Sequence, residues 1–118
     1  APETVESWPI RAEVDLLTRD GDGNELAPLG IEAALLEAFG EAGFEARAND
    51  TYYLHPAALG HRWTVLYPGR VTCLEVRRDL VVESWEPFEE GRPSPERVAR
   101  IAKVLAPTLA RVAWGSTG

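Results

Sequence analysis

The sequence has one cysteine, Cys73, and no methionine. A single thiol excludes an intrachain disulfide, a CxxC redox motif and a cysteine-rich zinc site. No apolar run approaches the roughly 18 residues that a membrane-spanning helix requires. Lysine is nearly missing: eleven of the twelve basic residues are Arg, and Lys103 is the exception. Against them stand 19 acidic residues, giving a formal net charge of −7. That shortage of cations excludes general binding to nucleic acid or to an anionic membrane, because both need Lys and Arg to neutralise phosphate. It favours solubility, or electrostatic steering toward a basic protein partner. The P-loop, G-x-G-x-x-G and G-x-S-x-G patterns are also missing, so no cofactor is implied.

At 118 residues, 45% apolar and 26% charged, the chain reads as one globular domain over residues 1–118. Ala1–Pro9 is expected to be a loose N-terminal arm anchored by Trp8. An Ala-Pro-Glu-Thr start fits removal of an initiator Met, signal-peptide cleavage or trimming. The cytoplasm is the expected compartment, with a secreted or periplasmic mature chain left open.

In "RAEVDLLTR", Ala12, Val14 and Leu16 alternate with acids, which predicts a half-buried strand. Ile31, Ala34, Leu35, Ala38 and Phe39 fall at helical spacing. Gly43 is placed to end that helix in the left-handed conformation, with Phe44 packing back. Gly40 within it marks either a close contact or an early end. From Glu45 the period changes to two. "FEARANDTYYLH" reads as a strand broken near Asn49-Asp50, and "HPAALG" as a loop. "HRWTVLY", "RVTCLEVR" and "LVVESWE" read as three antiparallel strands, the first two joined by a Pro68-Gly69 turn and the next turn at Asp79. That register sets Trp63 against Leu74 and pairs Arg62 with Glu75; the register of strand 80–86 stays open. Ser94 caps a final helix with Pro95 at its first position. Val98, Ile101, Val104, Leu105 and Val112 form its stripe, and Pro107 is expected to kink or end it near Ala106. The fold class is therefore α+β: an antiparallel meander of four to five strands, with one helix before and one after the main strands.

The candidate sites divide sharply. "DGDGNELAPLGI" from Asp20 resembles a calcium loop at Asp20, Asp22 and Asn24, but places Glu25 where the loop needs Gly and Ile31 where it needs a bidentate acid. It reads as a turn. His55 and His61, the only histidines, are the candidates for a metal site, but their spacing suits no local chelate, so no metal is assigned. Cys73 lies mid-strand and reads as a small hydrophobe. No catalytic constellation emerges. Glu83, Trp85, Glu86, Phe88, Glu89 and Glu90 form an aromatic patch amid acids, suited to a basic protein partner.

The order helix, meandering strands, helix across residues 30–113, with the acidity, resembles small acidic chaperones of type III secretion and some toxin immunity proteins. No residue is carried over, since the resemblance rests on element order alone. The leading expectation is a non-enzymatic acidic protein-binding module of inhibitor, immunity-protein or chaperone type. Two alternatives stand beside it. One is a small metal-dependent or hydrolytic enzyme using His55, His61 and Glu75. The other is a structural domain forming a homodimer through Trp8 and Trp114.

Overall fold

The computed structural model describes residues 12–50, 52–82 and 92–115. Its centre is β1 (Val14–Leu17), the middle strand of a three-stranded mixed sheet in the order β2-β1-β3. β2 (Ala46–Ala48) runs parallel to β1, with Val14 opposite Ala46 and Leu16 opposite Ala48. A parallel partner requires the chain to travel back along the sheet before pairing, and α1 (Ile31–Glu41) supplies that crossover. β3 (Cys73–Val76) pairs antiparallel on the other side, with Val76 opposite Val14 and Cys73 opposite Leu17.

Alternation along β1 decides which face is dry. Val14 and Leu16 are fully buried, and Leu74 and Val76 flank them on the same face. Against that face α1 sets Ile31, Leu35 and Phe39, four residues apart and all buried. The long helix α3 (Pro95–Gly115) adds Ile101, with Val104, Leu105 and Val112 partly buried around it. Each fully buried side chain of this kind stabilises the fold by roughly 1.5–3 kcal/mol. Local signals then fix the helix ends. Gly43 takes φ 90°, its N–H donates to the Gly40 carbonyl, and the Phe44 N–H donates to the Phe39 carbonyl at 2.9 Å. The Phe44 ring meets Phe39 edge-on at 5.7 Å, completing the predicted C-terminal motif. Gly40 faces open space within α1, so it marks neither a close contact nor the end of the helix. At the start of α3, the Arg97 N–H donates to Ser94 Oγ at 3.3 Å, the expected cap.

The antiparallel meander of four to five strands is overturned, and with it the element order that suggested secretion chaperones and immunity proteins. "FEARANDTYYLH" contributes only the three-residue β2, parallel rather than antiparallel. "HRWTVLY" is not a strand: it lies largely in α2 (Leu59–Leu66). The alternation of Trp63, Val65 and Tyr67 predicts a core face, but all three are exposed. The residues that α2 buries or half-buries are small or polar, Gly60 and Thr64 among them, and they carry no apolar period. The Pro68-Gly69 turn does form, with Gly69 at φ 72° and the Arg70 N–H on the Tyr67 carbonyl at 3.1 Å. It joins a helix to a strand, so the Trp63–Leu74 and Arg62–Glu75 pairings do not arise. The start of "LVVESWE" belongs to a short 3-10 turn (Arg78–Leu80) and a single bridge from Val82 to Pro93. α3 continues through Pro107 to Gly115 instead of ending near Ala106. Among the described residues the fold is a small α+β arrangement of three α-helices and three strands.

Candidate docking face

α2 meets the sheet on the side away from α1 and α3. Cys73 opposes Leu17 in the antiparallel register and so points to the face opposite the Val14–Leu16 core. Gly60 sits directly over it: a Cβ at residue 60 would stand 2.7 Å from Cys73 Sγ and 3.6 Å from Leu54 Cδ1. Thr64, four residues on, is buried, and its hydroxyl donates to the His61 carbonyl at 2.6 Å. Burial pushes the Cys73 thiol pKa up, which disfavours the nucleophilic thiolate. Gly60→Ala is expected to cost about 1–3 kcal/mol by forcing α2 off β3. In a Cys73→Ala background the cost should fall by more than half, as read by urea denaturation of the four-member cycle.

With its small residues inward, α2 turns its large ones out. Leu59, Trp63, Val65, Leu66 and the following Tyr67 are exposed, from 46% at Trp63 to 69% at Leu59. Trp63 and Tyr67 stack at 5.8 Å with their planes 17° apart. The approach to the helix is organised by His55, whose Nδ1 accepts the Ala57 N–H at 3.0 Å and whose ring stacks on Tyr53 at 6.1 Å. Past the Tyr67–Arg70 turn lies an open groove of about 620 Å³ lined by Leu29, Arg70, Thr72, Leu109 and Val112. Leu29 at its rim is 92% exposed.

The sequence carries a signal for this face that hydrophobic period does not reveal. From Thr51 to Leu74 there is no Asp or Glu, in a chain with 19 of them. The same stretch holds all three tyrosines, both histidines, Trp63, Arg62 and Arg70. Acidic residues are missing where four of the ten aromatic residues are placed.

The sites expected from sequence lie elsewhere. Glu83, Trp85, Glu86, Phe88, Glu89 and Glu90 fall outside the described residues, as does Trp8; Trp114 sits near the end of α3. His55 and His61 lie near the start of α2, while Glu75 stands on β3 opposite Asp15. No cluster of three or more His, Cys, Asp or Glu able to hold a metal forms among the described residues. The stretch after Asp20 is a turn, as its residue types predict. Asp20 Oδ1 accepts the N–H groups of Asp22 and Asn24 at 3.0 and 2.9 Å, and Arg19 bridges to Glu25 across it. The Asn24 side chain, donating to Asp20 at 3.0 Å, holds that carboxyl below its ordinary pKa. No described helix is long and apolar enough to cross a membrane.

Comparison with family models, with curated proteins and with solved structures returns no match to this chain.

Proposed function

We propose that this chain is a protein-binding module rather than an enzyme, and that it docks its partner through the outward face of α2. One observation supports the reading above the others. α2 packs by Gly60 and Thr64 and leaves Leu59, Trp63, Leu66 and Tyr67 in water. Scattered exposed apolar residues need no explanation, but a cluster on one short helix and its turn marks an interaction surface. Aromatic residues such as Trp63 and Tyr67 are also the types that dominate binding energy when buried by a partner.

The test compares what the wild-type chain and a Leu59→Ser/Trp63→Ser/Leu66→Ser variant retain from the same lysate. These side chains are not in the core, so the variant should melt within a few degrees of wild type. A stoichiometric partner retained by the wild type should be lost by the variant, with affinity for the purified partner falling at least about tenfold. Equal retention by a folded variant removes α2 from the account.

A further inference from the structure

We infer that the occupant of the α2 face is an acidic amphipathic helix of a protein partner; this rests on the docking reading just given and adds the partner's shape and charge.

Shape comes from the ridge. Leu59, Trp63 and Tyr67 are four residues apart, so they form one row along the helix surface, continued past its last turn by the Trp63–Tyr67 stack. Rows of this spacing seat in the groove between the rows of a facing helix. The ridge is about 12 Å long at roughly 1.5 Å per residue, matching some two turns of a partner helix. Leu66 flanks the row, so the surface offered is a stripe with knobs rather than a flat patch.

Charge comes from what surrounds the ridge. Arg62 lies within α2 and Arg70 closes the turn after it, and neither guanidinium makes a hydrogen bond or ion pair among the described residues. Three other arginines are paired: Arg19 with Glu25, Arg47 with Asp50, and Arg77 with Asp79. An approaching acidic helix is repelled by most of a chain that carries a net charge of −7. The segment from Thr51 to Leu74 contributes no acid of its own, although the Asp20 turn stands beside His61, and two unused guanidiniums stand ready there. Like-charge rejection elsewhere and attraction here together orient an acidic partner. Nucleic acid fits poorly, because two arginines neutralise few phosphates.

The test uses two labelled helical peptides with the same leucine stripe, one flanked by Glu and the other by Lys, titrated with the full chain by fluorescence anisotropy. The Glu peptide should bind roughly threefold to tenfold more tightly than the Lys peptide, with the advantage shrinking at high salt. The Arg62→Glu/Arg70→Glu variant should reverse the order, and Trp63→Ser should weaken both. Equal binding of the two peptides, still sensitive to Trp63→Ser, overturns the acidic partner and leaves the docking face standing. Binding of neither peptide overturns the inference, while the lysate comparison decides the docking reading independently. Binding to phosphatidylserine vesicles instead, or self-association abolished by Leu66→Ser, assigns the face to another occupant and overturns it as well.

Discussion

Asn49→Ala is expected to lower the free energy of unfolding by about 2–4 kcal/mol, the sum of an unsatisfied part-buried donor and a left-handed backbone. Asn49 follows β2 and holds φ 52°. Its Oδ1 accepts the Thr18 N–H at 3.1 Å and the Arg19 N–H at 3.0 Å, while its Nδ2 donates to Thr18 Oγ1 at 2.9 Å. Thr18 is buried and passes the chain on, its hydroxyl donating to Glu32 Oε1 at 2.5 Å in the first turn of α1. The Asn49 N–H itself donates to the Leu16 carbonyl at 2.8 Å. One side chain thus ties the ends of β1 and β2 to the start of α1. Alanine leaves the Thr18 N–H without its acceptor and cannot compensate the positive φ. Asn49→Gly keeps the backbone and loses only the amide, so it should cost about 1–3 kcal/mol. The difference between the two variants in urea denaturation isolates the backbone contribution. Identical losses would show that the left-handed conformation costs nothing here, and a loss under about 0.5 kcal/mol for both would show that water replaces the amide.

Phe39→Ala is expected to cost about 3–5 kcal/mol, the range for deleting a fully buried aromatic. Phe39 is wholly inaccessible and ends the apolar stripe of α1. Its removal also withdraws the surface against which Phe44 stands edge-on, and Phe44 in turn carries the Arg100 guanidinium 5.6 Å from its ring centroid. The α1 terminus and α3 therefore lose contact together. Phe39→Leu should cost less than half as much because it leaves the smaller cavity, and Phe44→Ala should fall between them. Denaturant midpoints at unchanged slope would establish the order. A Phe39→Ala cost below that of Phe44→Ala would mean that the core collapses to fill the void.

The elements that are legible in sequence are those whose buried residues are also their apolar ones. Val14 and Leu16 alternate with acids, and β1 is found there. Ile31, Leu35 and Phe39 recur every four residues, and α1 carries them inward, with Gly43 and Phe44 closing it as their types require. Ser94 caps α3 for the same local reason. The pairing of β2 was hidden because three residues, Ala46 to Ala48, hold no hint that α1 returns the chain to run parallel. α3 passes Pro107 since the ring forgoes only one donor, toward the Lys103 carbonyl, while Thr108 is buried beyond it and Val112 half-buried. α2 departs from its period for a deeper reason: period predicts fold only where large apolar residues face inward. Where Gly60 and Thr64 face inward instead, the alternation of Trp63, Val65 and Tyr67 describes a surface. The candidate face is written in the sequence as missing acid between Thr51 and Leu74, a pattern of charge and not of hydropathy.

The inward stripe of α2 has a consequence for how this chain can change over generations. Attachment of the helix depends on the close approach of Gly60 to Cys73 and on Thr64, whereas Leu59, Arg62, Trp63 and Leu66 contribute nothing to the interior. The outward positions are free to drift without eroding the scaffold, and a variant that meets a new counterpart inherits an intact interior. Gly60 and Cys73 are tied to each other instead, so lineages should exchange them jointly or keep both. Recognition and foldability thus rest on separate letters of the same eight-residue segment.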